Sequence, residues 1–217
     1  MQFESWEPLY LAIREDFGFS RQRDEEAAEL LRELLQGREY YLLAAEALLS
    51  GRRAVVCGNA PCLSRELEDM RDKEVDNAVF LAADGATVSL LDHGILPAIV
   101  VTDLDGFFPA IIQANQMGSI VVVHAHGDNL EALKRYVPLL DRVIGTAQCR
   151  PPEGLYNFGG FTDGDRAVFL AREMGAASIK LVGFDFDDQT VTPRKKKKLA
   201  WARKLIGLAL LSSGQQL

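Results

Sequence analysis

The sequence predicts an α/β fold: a Rossmann-like, mostly parallel sheet flanked by helices, with an N-terminal helical segment in front of it. Three observations predict it. Short, β-branched apolar runs recur from Ala54 onward, as the strands of a sheet covered on both faces require. Helical patterns separate them, and strand–helix alternation is the mark of parallel architecture. Polar motifs follow directly on four consecutive runs.

Residues 1–50 read as helical. Ala27, Leu30, Leu31, Leu34 and Leu35 recur at helical spacing among acids and arginines. Leu42, Leu43, Ala47, Leu48 and Leu49 continue or follow that helix, and Gly37 and Gly51 are the expected stops. This segment carries no chemistry and is expected to be a packing element or the surface of a homodimer. Residues 51–217 then form the Rossmann-like domain. Its expected strands are 54–57, 78–82, 98–101, 119–123, 142–144 and 179–182, with helical patterns at 129–136 and 165–174. A basic tract, Arg194–Lys198, precedes a last helical stretch over 199–211, and residues 212–217 read as a frayed tail.

A chain of 217 residues, 48% hydrophobic and 25% charged, is long enough to bury a core as one domain or one domain with a small appendage. A net charge of -7 argues against a nucleic-acid partner, which usually meets a basic face. It does not exclude a nucleotide-binding enzyme, because a metal ion and a few local cations can carry phosphate charge. Cys57, Cys62 and Cys149 form no CxxC pair, so neither a zinc site nor a disulfide framework is expected, and the reduced cytoplasm is the expected compartment. The acidic N-terminus lacks the apolar core of a signal peptide. No apolar stretch approaches the roughly 20 residues of a membrane span, so no membrane partner is expected.

The four motifs are Gly58-Asn59-Ala60-Pro61, Asp84-Gly85-Ala86, Thr102-Asp103-Leu104-Asp105-Gly106, and His124-Ala125-His126-Gly127-Asp128-Asn129. In an open α/β sheet, ligands bind outside the carboxyl ends of the strands. Asp103 and Asp105, two apart on an extended strand end, point the same way. Two adjacent carboxylates repel each other unless a cation lies between them, and Mg²⁺ with its oxygen preference is the expected occupant. Asp84 and Asp128, on neighbouring strand ends, could complete the site. Gly85 and Gly106 would let backbone and phosphate approach closely. Helix capping is the alternative for Asp84, Asp103 and Asp128; their joint placement at strand ends favours the metal.

His124 and His126 read as hydrogen-bonding groups near a phosphate or substrate rather than a metal pair, since no cysteine or Glu-x-x-His accompanies them. The lysine tract is either a solvated face or a set of cations beside polyphosphate. In Gly159-Gly-Phe-Thr-Asp-Gly-Asp-Arg166, Thr162 or Asp163 would cap the helix beginning near Asp165. Aspartates there suit a substrate with N–H donors or a second metal contact better than an anion.

Two family resemblances rest on these motifs. Ala82-Ala83-Asp84-Gly85-Ala86, then Pro97, then Thr102-Asp103-Leu104-Asp105-Gly106 and Gly127-Asp128-Asn129 resemble the catalytic core of thiamin pyrophosphokinases. Gly106 stands here for that family's Ser and Gly127 for its Thr, and no C-terminal β-domain follows. The closer resemblance, from Ala54 to Asp187, is to the archaeal 6-hydroxymethyl-7,8-dihydropterin pyrophosphokinases, the MptE-like family. It adds Gly58-Asn59-Ala60-Pro61, Asn157 to Arg166, and Gly183-Phe-Asp-Phe186. Ala60-Pro61-Cys62 replaces the family's usual Gly-Pro-Ser, and related domains occur inside bacterial sugar-transfer proteins.

The resemblance implies Mg²⁺-dependent transfer of diphosphate from ATP to a pterin alcohol, with AMP released. Asp103 and Asp105 would be the catalytic metal ligands, with Asp84 and Asp128 as further ligands. Gly58, Asn59, Gly85, His126, Asn129, Lys195 and Lys196 would face the nucleotide, the lysine tract closing over the triphosphate from a mobile segment. Asn157, Thr162, Asp163, Asp165 and Asp185 would meet the pterin. Asp103-Leu104-Asp105-Gly106 also mimics the haloacid-dehalogenase phosphatases, in which Asp103 would be the nucleophile and Asp105 the acid/base. That motif normally follows a first strand, with Thr or Val where Phe107 stands here. A nucleotide-binding or sugar-transfer accessory domain without kinase activity is the remaining alternative.

Overall fold

The apolar runs become β1 (Arg53–Cys57), β2 (Ala78–Ala83), β3 (Ile99–Thr102), β4 (Ile120–Ala125), β5 (Val143–Ala147) and β6 (Ser178–Val182). In the computed structural model, which describes residues 3–70 and 75–211, they form one all-parallel sheet in the order β5-β4-β3-β2-β1-β6. The expected frayed tail lies outside the described residues. Parallel neighbours cannot be joined by tight turns, so each connection crosses over through a helix. α4 (Leu63–Glu68), α5 (Ala86–Asp92), α6 (Phe108–Gln116) and α7 (Leu130–Tyr136) join β1 through β5 in succession. Right-handed crossovers in that order set these four helices along one face. The chain then returns across the sheet: α8 (Asp163–Glu173) packs over β1, β2, β3 and β6, and α9 (Pro193–Leu211) lies against α8. Strand order therefore reverses between β1 and β6, and every strand sends its carboxyl end to the same edge.

Two strands run further than their apolar texture indicates. β4 continues through His124 and Ala125 because these residues pair with Thr146 and Ala147 of β5, so ladder bonds extend both strands. His124 is thus part of the sheet and only His126 belongs to the loop. α9 likewise begins earlier than expected. Pro193 is its first residue and the Thr192 hydroxyl accepts the Lys195 N–H at 3.2 Å, so the lysine tract forms the first helical turns instead of a mobile lead-in.

The N-terminal segment is three helices, α1 (Phe3–Phe17), α2 (Arg21–Leu35) and α3 (Leu42–Leu49). The expected stops follow α2 and α3, with Gly37 and Gly51 at φ of +76° and +69°. Trp6, Tyr10, Ile13, Ala27 and Leu31 belong to the same continuous core as the strands. The segment also reaches the carboxyl edge of the sheet. The Trp6 indole donates to the Gln148 carbonyl at 2.9 Å. Asp24, 2% exposed, accepts from the Tyr10 hydroxyl at 2.8 Å, the Gln148 amide at 3.0 Å and the Gly127 N–H at 2.9 Å. A Cβ on Gly127 would lie 2.5 Å from that of Arg23, so the first turn of α2 rests directly on the loop after β4. Among the described residues, no helix is long and apolar enough to cross a membrane.

Removing the Asp24 carboxylate strands three buried donors. Asp24→Ala should lower unfolding free energy by about 2–4 kcal/mol, and Tyr10→Phe, which deletes one of the three bonds, by about 1 kcal/mol. Urea unfolding followed by tryptophan fluorescence checks both.

Candidate active site

Strand register sets the site. Ala83 pairs with Val101, which carries Asp84 alongside Thr102; Thr102 pairs with Val123, which carries Asp103 alongside His124. The Asp84 N–H continues the ladder to the Val101 carbonyl at 2.8 Å. The buried Thr102 hydroxyl then donates to the Asp84 carboxylate and accepts the Leu104 N–H at 2.8 Å. This knot forces two non-glycine residues into the left-handed region, Asp84 at φ +37° and Leu104 at φ +68°. Such conformations cost roughly 1–3 kcal/mol each and persist only where surrounding contacts dictate them. Gly106 closes the turn: its N–H supports the Asp84 carboxylate, and a Cβ there would overlap that carboxylate.

The result is a group of three carboxylates. Asp84, Asp103 and Asp105 each offer an oxygen within 4.8 Å of the others, graded from buried Asp84 to exposed Asp105. Asp103 Oδ2 accepts from His126 Nε2 at 3.3 Å, while its buried Oδ1 has no partner. The Asp128 N–H donates to His126 Nδ1 at 3.3 Å, which leaves Nε2 as the protonated nitrogen facing Asp103. Asn129 anchors the same loop: its amide donates to the carbonyls of Asp103 and His124 at 2.7 and 2.8 Å, and its oxygen accepts the His126 N–H at 3.1 Å. A fourth carboxylate, Asp163 at the start of α8, stands 3.5 Å from Arg166 Nη1 with its Oδ1 unbonded.

Electrostatics follow from this crowding. Partial burial, then the charges of Asp103 and Asp84, push the Asp105 carboxyl up to about 6, while Lys198 pulls it back. Burial raises Asp84, and burial together with Asp103 raises Asp163 well above the carboxylate range. For Asp103 burial also opposes ionisation, but the hydrogen bond from His126, aided by the charge of Arg166, outweighs it and holds the group low. Hard oxygen donors of one sign, an unpartnered buried Asp103 Oδ1 and carboxyls held back from ionising are what a small divalent cation relieves. The residues fit Mg²⁺.

The family described as "6-hydroxymethylpterin diphosphokinase MptE-like" matches residues 26–191. The chain belongs to that family. It is 44% identical to the 6-hydroxymethyl-7,8-dihydropterin pyrophosphokinase of Methanothermobacter thermautotrophicus, over 95% of this chain and 94% of that protein. It is 42% identical to the protein of the same name from Pyrococcus furiosus, over 95% and 93%. For the one from Methanocaldococcus jannaschii the figures are 39%, over 86% and 80%. Among solved structures, a MAf glycosyltransferase from Magnetospirillum magneticum AMB-1 superposes with a TM-score of 0.50 at 14% identity. That match covers 84% of this chain and 34% of the glycosyltransferase, and it speaks for the fold alone.

In this MptE-like chain the expected site residues divide. Asp84, Asp103, Asp105 and His126 converge, and Asp163 stands beside them. None of Asp84, Asp103 and Asp128 caps a helix; the caps of α5, α6 and α7 are Gly85, Phe107 and Asn129. Asp128 does not join the carboxylates, because the turn after β4 directs its side chain to solvent. Gly58 is explained by packing, since a Cβ there would lie 2.6 Å from the Gly183 carbonyl, and its N–H is bonded to Val182. Gly85 makes room for the amide of exposed Asn59.

Several expected ligand-binding groups are committed to the fold instead. Asn129 holds the loop as described. The Asn157 amide donates to the Ala147 carbonyl at 2.7 Å, and its oxygen accepts from the Gly159 N–H at 3.0 Å. Asp165 is fully buried and accepts the N–H and hydroxyl of Thr162 at 3.0 and 2.7 Å, so these two residues cap α8. Exposed Asp185 accepts the Asp187 N–H at 3.0 Å. In the lysine tract, exposed Lys196 bonds Gln189 at 3.0 Å and Lys197 pairs with Asp16 at 3.0 Å; the lysine whose charge reaches Asp105 is half-buried Lys198. Sequence reasoning gave no role to Thr102, Arg166 or Asp24. For Arg166 the available signal was its spacing of three from Asp163, which places both on one helical face.

A pH dependence follows. Asp105 has an ordinary pKa of 3.8 and a folded value of about 6. Its contribution to stability is full below the ordinary value and is lost as pH rises through about 6. Asp84 and Asp163, also raised, act in the same sense, while lowered Asp103 adds stability only above 3.8 and is constant across this window. In chelator, the melting temperature should fall by roughly 2–4 °C between about pH 5 and about pH 8. Mg²⁺ should restore it at the upper pH and change little at the lower. Melting curves with and without Mg²⁺ check this.

Proposed function

We propose that the chain transfers a diphosphate group from ATP to 6-hydroxymethyl-7,8-dihydropterin, giving the pterin diphosphate and AMP, with Mg²⁺ held by Asp84, Asp103 and Asp105. The observation that carries this reading is the three-carboxylate group with its unpartnered Asp103 Oδ1, in a chain similar over nearly its whole length to pyrophosphokinases of that name. Bound there, Mg²⁺ would neutralise phosphate charge and orient the transferring group.

The protein's own part is positioning and charge placement. Thr102 and Gly106 fix the Asp84 carboxylate, and His126 fixes one oxygen of Asp103 while leaving the other free to ligate. Lys198 brings a positive charge to the side of the group where Asp105 opens to solvent. Lys195 and Lys196 stand in the same helical turns, exposed to solvent. The pterin hydroxyl oxygen attacks the β-phosphorus of ATP, the bond from that phosphorus to the α,β-bridging oxygen breaks, and AMP leaves. The hydroxyl proton passes to a carboxylate, and Asp105, the most accessible of the three, is the one placed to take it. The cytoplasm, where ATP and reduced thiols coexist, is the compartment this reading implies.

Chromatography of nucleotides after incubation with ATP, Mg²⁺ and the pterin alcohol tests the proposal. AMP should appear in equal amount to the pterin diphosphate, and Asp103→Asn should reduce the rate by at least about 10²–10³. ADP or free phosphate in place of AMP would overturn it.

A further inference from the structure

Behind the carboxylates lies a second polar group, joined to them through Arg166. His124 on β4, Gln148 just past β5 and Arg166 on α8 are 3%, 5% and 7% exposed and border one small cavity. Its outer wall is the turn 157–160, with Phe158. His124 Nε2 and Arg166 Nε are both buried without a hydrogen-bond partner. Each such atom costs roughly 1–3 kcal/mol, and native structures rarely leave two beside one another unless something else satisfies them. The remaining contacts of the guanidinium are long, 3.5 Å to Asp163 and 3.5 Å to Gln148 Oε1.

The hydrogen bonds settle what each atom offers. The Thr146 hydroxyl is 3.0 Å from the Val123 carbonyl and 3.0 Å from His124 Nδ1. A carbonyl can only accept, so Thr146 donates to it and must accept from Nδ1. His124 therefore carries its proton on Nδ1 and presents a bare Nε2 acceptor to the cavity. Arg166 Nε–H is a donor. The cavity thus offers one acceptor and one donor to a single small polar group. An adjacent N–H and C=O on the edge of a flat heterocycle is the complement of that pair. Strand register places Asp103 beside His124, so a ring held here has its substituents next to the carboxylates. The polar groups otherwise suited to the task, Asn157, Asp165 and Asp185, are committed to the fold.

Resting on the pterin reading above, we infer that this cavity reads the edge of the acceptor's ring: His124 Nε2 accepts from a ring N–H or amino group, Arg166 Nε donates to a ring carbonyl, and Phe158 covers the ring face. The cavity as it stands is about the size of one water, so ring entry requires its outer wall to move. The wall a ring must displace is the segment 157–160, whose Gly159 and Gly160 sit at φ +92° and +94° and whose Phe158 stacks on Tyr156 at 5.8 Å.

Binding without ATP separates this inference from the reaction. Fluorescence titration of the unmodified protein should show 6-hydroxymethylpterin binding about tenfold to a hundredfold tighter than a hydroxymethyl quinoxaline, which lacks the amino and carbonyl groups. His124→Phe and Arg166→Lys should each erase most of that preference. Equal binding of the two compounds by the unmodified protein overturns the inference, and so does a preference that survives both substitutions. Discriminated pterin binding without AMP formation would support the ring site and overturn the transfer reaction.

Discussion

The bond from Thr102 to Asp84 couples the sheet to the site. It exists because β2 and β3 pair in parallel with Ala83 opposite Val101, so the residue leaving one strand meets the last residue of the next. From this pairing follow the left-handed turns at Asp84 and Leu104 and the close approach of Gly106. A one-residue slip would turn Thr102 to the other face of the sheet and leave Asp84 buried and unsupported. The hydrophobic pattern of the strands, which forbids that slip, is therefore what sets the carboxylates in place.

Charge is handled by depth. The most buried carboxylate, Asp84, receives a hydroxyl and an N–H; Asp103 receives an imidazole and the field of Arg166; Asp105, nearest solvent, receives only a lysine's charge. Support thus falls off toward the surface, where a ligand can supply what the protein omits. Beneath them, Arg166 faces both Asp163 and the polar cavity of His124, so one buried cation serves the acidic group above and the neutral groups below. That dual position explains why its bonds are all long: no single partner can be approached without abandoning another.

Much of this was legible in the sequence, and the limits are instructive. The strands β1 to β5 were visible as apolar runs, because strands covered on both faces must be apolar throughout, whereas edge strand β6 showed itself only through Ile179, Leu181 and Val182 around Lys180. The end of β4 was not, since a histidine at a strand terminus reads as loop until its partner Thr146 is known. Asp84, Asp103 and Asp105 were legible because parallel strands deliver their ends to a common edge. Asp128 was misplaced because the turn preceding α7 rotates it outward, and sequence does not encode that rotation simply. Asn157, Thr162 and Asp165 look identical in sequence whether they meet a ligand or a backbone group; what decides is which carbonyl or N–H the fold brings near. Lys198 could be singled out from its neighbours only once the tract was known to be helical, because successive helical residues point in different directions.

The bonds of the N-terminal helices to the rest of the molecule have a consequence for the order of assembly. Asp24 meets Gly127 and Gln148 across 103 and 124 positions of chain, and Trp6 meets Gln148 across 142. Helix α2 is made before the elements it packs on, β4, α7 and β5, and the apolar faces of Trp6, Tyr10 and Leu31 are not fully covered until those have been added. Contacts of such long range close late. The apolar faces of these helices are therefore exposed while the later strands are being made, and the acidic edge gains its full support from Asp24 only once the residues just past β5 have been added.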